Sequence, residues 1–262
     1  SLFYGLDSET GDGLAMGKKI GAGTINLDLV KQYPQGVETL PHHALAATAS
    51  STDTMKKSGA IYVNRDGKRI VDELAGLGML TKITEAQKDS IMYIVMDKAA
   101  WKQYVAKSLE DKLVAAPSDL DKWAKIVNNG YPVMATSAKL ADAAKTMGIN
   151  AKGLQATIAR WNGFVKAGAD KDFGRKVLMP FGEGPYYIVE QKPRFQTTLG
   201  GLKANADMQI LNKKGQPIGN LFGAGCVVGG ANGSDSLTAM MNSWAIISGV
   251  VAGDSAVKNL KK

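Results

Sequence analysis

Cysteine is nearly missing from this sequence. Its 262 residues hold one, Cys226, so no disulfide can form within the chain. With only two histidines beside it, the donors for a zinc site are too few, and no metal site is expected. No apolar run approaches the roughly 20 residues that span a bilayer, so no membrane span is expected. No signal-peptide pattern is present. Aromatic residues are sparse at 7%, and the formal charge of +8 comes mostly from lysine. Those lysines are scattered, and only "KNLKK" at the C-terminus forms a run. A nucleic-acid surface needs basic residues clustered with aromatics between them. The excess therefore reads as a solvated surface, one that helps attract anionic substrates or acidic partners. A "GxGxxG" turn is also absent. The chain opens "SLFYGLDSETGDG", without an initiator methionine, and reads as cut from a longer sequence.

What is present has the composition of an ordinary globular protein, with 45% hydrophobic and 21% charged residues. "DGLAMGKKIGA" (12–22) is helical by spacing, with Gly11 and Asp12 at its N-terminus, where an acid suits the helix dipole. "AIYVNRDGKRIVDE" (60–73) reads as a hairpin about the turn Arg65-Asp66-Gly67. "IMYIVMD" (91–97) reads as a buried strand. From 98 to 165 helical periods dominate. Ser118 and Asn150 are the expected N-caps, and Leu154, Ile158, Trp161 and Val165 share one face. After Pro180 come short β-rich runs, with "NKKGQP" as a turn. Last comes "NLFGAGCVVGGANGSDSLTAMMNSWAIISGVVAG" (220–253), an apolar run leading through glycines into a helix. That is the pattern of a strand and tight turn feeding a helix N-terminus toward a phosphate or carbonyl. Such a turn usually opens a nucleotide-binding domain, and here it closes the chain.

The order of "TGDGLAMGKKIGA", "GAIYVNRDGKRIVDE", "GINAKGLQATIARWNGFV", "DFGR", "PYYIVEQKP", "TTLGGLKANADMQILNKKGQPIGNLFGAG" and the closing helix resembles the fumarate reductase/succinate dehydrogenase flavoproteins. The nearest branches are the soluble flavocytochrome c and urocanate reductase types. The resemblance covers nearly the whole chain. It implies an α/β fold, in which an α+β cap is inserted into a Rossmann-like FAD-binding domain that is incomplete here. Residues 1–33 would be one segment of the FAD domain, 34–197 the cap, and 198–262 the last FAD segment. The N-terminal FAD-domain segment, with its pyrophosphate turn, would lie outside these residues. FAD is the implied cofactor of the full-length protein, and the chain alone would bind it weakly or not at all and be inactive. The implied partners are a small unsaturated substrate and an electron-donor domain or subunit.

The resemblance also implies a chemistry. Family members reduce an activated C=C bond, holding substrate carboxylates with two histidines and an arginine and protonating with a second arginine. In this sequence those positions fall on Tyr33, Thr197, Ser236 and Leu77. All four have changed, which argues against fumarate as substrate. The family's proton relay falls on Asp53 and Lys56, which read more simply as a surface ion pair. Leu77 cannot donate a proton, so Tyr33 becomes the candidate general acid. For the cofactor, the matched positions are Asp12, Gly225, Cys226 (a glutamate in the family), Met241 and Asn242. Gly223 to Gly225 would allow close backbone approach. Bulk at Thr238, Ala239 and Met240 narrows the turn before the closing helix. His42 and His43 read as a loop pair, and Arg194 as a surface charge that could meet an anion. Two other readings compete with the reductase. One is a binding or structural piece without FAD, the other a flavin-linked dehydrogenase of a ring ketone, as in ketosteroid enzymes.

Overall fold

The structure, a computed structural model, describes residues 1–234 and 240–260. Its elements begin with β1 (Leu2–Phe3), α1 (Asp12–Lys19), β2 (Thr24–Ile25), β3 (Val30–Leu40), β4 (His43–Ala46), α2 (Thr48–Lys57) and β5 (Ile61–Val63). They continue with α3 (Leu77–Glu85), β6 (Met92–Met96), α4 (Lys98–Glu110), α5 (Pro117–Lys122), β7 (Val127–Asn128), β8 (Tyr131–Pro132) and β9 (Met134–Ser137). The last are α6 (Leu140–Thr146), α7 (Ala151–Ala167), β10 (Tyr186–Thr198), β11 (Gly201–Leu202), β12 (Gln209–Leu211), β13 (Pro217–Phe222) and α8 (Met240–Leu260). The mixture is α/β, as the motif order implies. The chain divides into two compact units. One comprises Ser1–Tyr4 and Gln32–Arg194, the other Gly5–Lys31 and Phe195–Lys262.

The first unit is built on a sheet of order β1-β4-β3-β10-β6-β5, with β9 also paired to β10. Strand β6 explains why "IMYIVMD" carries no polar alternation. Met92, Ile94 and Met96 enter one core with Met55 of α2 and Ala100 and Tyr104 of α4. Tyr93 and Val95 enter a second core with Ala143 and Ala144 of α6 and Leu154, Ile158 and Trp161 of α7. Both faces of the sheet are covered, so every position of the strand is apolar. Helix α7 starts where expected, because the Asn150 side chain accepts from Gly153 N–H at 3.0 Å.

Three local expectations need correction. The hairpin keeps its turn, with Gly67 N–H donating to Asn64 O at 2.9 Å, but its second strand shrinks to one bridge, Val63 with Arg69. Arg69 turns instead into a buried ion cluster, which pulls the backbone off the ladder. The supposedly helical middle contains β7, β8 and β9, because β9 finds a partner in β10 that lies far along the chain. Ser118 lies inside α5, whose N-cap is Ala116. Asp119 there accepts from the N–H groups of Ala115 and Ala116.

The ion cluster ties the hairpin motif to the "DFGR" motif. Arg69 meets Glu73 through Nε (2.7 Å) and Nη2 (2.8 Å), and reaches Asp170 through Nη2 (2.9 Å). Arg175 donates to Ala60 O (2.7 Å), Ser58 O (3.0 Å), Met55 O and Glu73 Oε2 (3.2 Å). Trp161 lies under both guanidinium groups, 4.6 Å from Arg69 and 4.9 Å from Arg175. Burial alone would raise the Asp170 carboxyl pKa. The Arg69 hydrogen bond, then the N–H groups of Arg175 and Asp172, outweigh burial and hold it at about 2, against an ordinary 3.8. A depressed carboxyl stabilises the fold fully above its unfolded pKa. That contribution is lost as pH falls from 3.8 through 2. On acidification from pH 5 to 2, the wild type is expected to lose about 2 kcal/mol more than Asp170→Asn. Urea unfolding at several pH values measures this, and parallel acid profiles would count against it.

The second unit pairs β2 with β11 and β12 with β13 around a small core of Ala22, Leu202, Ile210 and Val228. The turn "NKKGQP" joins β12 to β13, with Gly215 N–H donating to Asn212 O at 3.0 Å. Helix α8 is apolar along most of its length, yet Ile246 and Ile247 are 71% and 60% exposed. Val250, Val257 and Leu260 are exposed as well. No described helix is long and apolar enough to cross a membrane.

Candidate functional site

The polar feature that stands apart in the first unit is centred on Arg194, near the end of β10. It is 4% exposed, not a surface charge. Residues Ile188 to Arg194 are all buried. In such a strand alternation says nothing about exposure, and for that reason the pattern "KPRFQ" misled. The guanidinium lies 4.0 Å from the Tyr4 ring centre and 5.0 Å from that of Tyr33. Nη2 donates to Thr48 Oγ1 at 2.7 Å, and that hydroxyl donates in turn to Pro34 O at 3.4 Å. Nε and Nη1 have no hydrogen-bond partner among the described residues. Burial lowers the Arg194 pKa, and the nearby Tyr4 and Tyr33 phenols oppose the fall.

The neighbouring cation on β10 is handled differently. Lys192 pairs with Glu38 Oε2 at 2.5 Å and with Glu190 Oε1 at 3.0 Å. Burial raises the Glu190 pKa, and Lys192 counters it. Lys192 therefore has two carboxylates, whereas Arg194 has none.

Tyr33 sits on β3 and is half-buried under Arg194. Asp53 and Lys56 are both on α2. The expected pair does not form, because Asp53 meets Lys57 one turn on, at 2.9 Å, and Lys56 is exposed. Leu77 opens α3 and packs on the first core, which accounts for an apolar residue there. His43 stacks edge-on to Phe3 with ring centres 5.8 Å apart, and His42 N–H donates to Glu38 Oε1 at 2.9 Å.

The remaining candidates belong to the second unit. Thr197 is half-buried near the end of β10. Asp12 is exposed in the first turn of α1. The N-cap is Gly11, so Asp12 is not the cap but the acid of the first turn, where it suits the dipole. Gly225 has φ 68, a conformation that favours glycine. Its N–H donates to Ser248 Oγ at 2.9 Å, and its carbonyl accepts from Trp244 Nε1 at 3.2 Å. These bonds pin the glycine turn to α8. Gly223 serves packing instead, since a Cβ there would lie 2.6 Å from Ile210 Cδ1. Cys226 is exposed beside that turn. Met241 Sδ accepts from Asn232 Nδ2, and Asn242 is exposed on α8. The buried Asn232 Oδ1 has no partner among the described residues. Ser236, Thr238 and Ala239 lie outside the described residues.

Comparison with known proteins agrees with the motif order. The sequence pattern of the FAD binding domain family matches residues 3–240. A fumarate reductase (cytochrome) of Shewanella frigidimarina is 32% identical over 253 residues, covering 96% of this chain and 40% of that protein. A urocanate reductase of Eggerthella lenta is 31% identical, covering 94% and 38%. The open conformation of a flavocytochrome c3 fumarate reductase superposes with a TM-score of 0.71 at 27% identity, covering 95% of this chain and 40% of that one. A 3-ketosteroid Δ1-dehydrogenase from Sterolibacterium denitrificans, at 19% identity and TM-score 0.73, shares the fold alone; the match covers 97% and 48%. The chain thus spans about two fifths of the length of the curated relatives named here. The matches indicate FAD as cofactor and oxidoreductase as class. The chain belongs to the FAD binding domain family, with fumarate reductase flavoproteins among its relatives.

Proposed function

We propose that this chain is the C-terminal portion of a FAD-dependent reductase of activated C=C bonds whose substrate is not fumarate. One observation carries the specificity. By the resemblance to the fumarate reductase flavoproteins, the positions that would handle a dicarboxylate fall on Tyr33, Leu77, Thr197 and Ser236 here, none of them an arginine or a histidine. Residues 34–197 act as the cap over substrate, and residues 1–33 and 198–262 as parts of the FAD domain. The segment that completes that domain covers the apolar side of α8, which Ile246, Ile247 and Val250 leave exposed.

The second unit fits a flavin. Asn232 Oδ1 is a buried acceptor in need of a donor, and an N–H of the ring system would meet that need. Gly225 and Cys226, with Met241 and Asn242 of α8, would hold the ring region, and Asp12 a more polar part. When bound, FAD supplies the hydride that one alkene carbon receives. This chain's part is to orient the substrate and to move a proton. Tyr33 Oη gives the proton to the neighbouring carbon and regains one from solvent or from the Asp53 side of α2.

The test uses the full-length flavoprotein, reduced without air. Its oxidation by acrylate-type enoates is expected to exceed that by fumarate at least tenfold. Fumarate preferred over every monocarboxylate enoate would sink the reading. Introducing Leu77→Arg with Ser236→Arg is expected to raise fumarate turnover by about tenfold or more, from charge-assisted hydrogen bonds of about 1.5–3 kcal/mol each. The 262-residue chain expressed alone is expected to bind FAD weakly or not at all, and a yellow, stoichiometric preparation of it would refute that expectation.

A further inference from the structure

The chain has five arginines, Arg65, Arg69, Arg160, Arg175 and Arg194. Four meet a carboxylate. Arg65 is 3.6 Å from Asp89, Arg69 is on Glu73 and Asp170, Arg160 is on Asp172, and Arg175 is on Glu73. Among the described residues Arg194 alone has none, although it is among the more deeply buried. Its Nε and Nη1 carry three of the five N–H groups of a guanidinium, all without an acceptor. The rings of Tyr4 and Tyr33 attract the cation through their faces.

A buried charge is ordinarily paired, because leaving it desolvated and uncompensated is costly. The sheet supplies no such pair here, even though it gives the next cation, Lys192, two. The Thr48 hydroxyl fixes one edge of the fork and leaves the other buried without an acceptor. A preset arginine with unused in-plane donors is what a carboxylate needs.

We propose that Arg194 is the substrate-binding residue for one carboxylate, taken through its unpartnered Nε and Nη1 while Tyr4, Tyr33 and Thr48 hold the fork. The assignment rests on the enoate-reductase reading and narrows it. One uncompensated arginine suits a monocarboxylate, and among the described residues no second arginine without a carboxylate is left for the other end of fumarate. Tyr33 lies against the same group, so the carboxylate end of the substrate is held beside the residue offered as proton donor.

The test is equilibrium binding to the oxidised full-length flavoprotein, with no reductant, so that nothing turns over. Acrylate and its saturated counterpart propanoate serve as probes. Arg194→Gln is expected to weaken both at least tenfold, as loss of a charge-assisted hydrogen bond does, with FAD content unchanged. Arg194→Lys is expected to weaken them less but measurably, since a point charge cannot span two oxygens in one plane. If the glutamine variant does not fold, the lysine variant decides. Unaltered affinity in whichever variant decides, or no binding of either probe by wild type, overturns the assignment. Binding lost with Arg194 but no turnover of acrylate by the reduced wild type supports the carboxylate site and overturns the reductase reading instead.

Discussion

Replacing Arg175 by alanine is expected to lower the stability of the first unit by about 3–5 kcal/mol, the cost of breaking a buried ion pair from one side. The size follows from how many groups depend on it. Arg175 accepts nothing and donates to three backbone carbonyls, Met55, Ser58 and Ala60, where α2 runs into β5. It also neutralises Glu73 together with Arg69. Its removal leaves those carbonyls buried and unsatisfied and uncovers one face of Trp161. Arg175→Lys is not expected to rescue the loss, because an ammonium cannot reach carbonyls on both sides of a planar fork. Urea unfolding followed by tryptophan fluorescence measures this, as Trp161 reports on the site directly. A loss below about 1 kcal/mol would mean that the cluster is solvated in solution and contributes as surface pairs do.

Gly67→Ala is expected to cost about 3 kcal/mol, from a backbone strain of about 1–3 kcal/mol and overpacking of similar size. Gly67 has φ 71, and a Cβ would lie 2.3 Å from Leu154 N and 2.6 Å from Asn150 O. Those atoms are backbone of the first turn of α7, so relief requires the helix to move. Thr157 Oγ1 also donates to Gly67 O at 2.6 Å, binding turn and helix from the other side. Asp66→Ala, on the exposed side of the same turn, is expected to change stability by less than about 0.5 kcal/mol. Comparable losses in the two variants would show that the turn, rather than its contact with α7, sets the cost.

The turn illustrates what local sequence can convey. Arg65-Asp66-Gly67 predicts a tight turn because glycine reaches positive φ without a clash. That the same glycine also lets α7 approach depends on residues more than eighty positions away. Strand β6 was legible because five apolar residues in a row leave little else possible, and α7 because its period and its Asn150 cap agree. Strand β9 was not, since four residues become a strand only when β10 is beside them. At the candidate site the limit is sharper. Tyr33 is a candidate through the motif order alone, and the structure adds that it lies beside Arg194. Arg194 was misjudged because its surroundings come from Tyr4, Tyr33 and Thr48, and none of these is near it in sequence. The Asp53–Lys56 pair failed for a smaller reason, a choice between lysines three and four residues along one helix.

By itself the sequence determined the class of fold, the family and FAD as the cofactor. All of these reside in residue types and their order. The tertiary structure alone decided which charges are compensated. It joined the two motifs "VNRDGKRIVDE" and "DFGR" into one neutralised cluster, and it left Arg194 buried among tyrosines without an acid. Charge compensation depends on distances of a few ångströms between segments far apart in the chain, and only folding sets those distances.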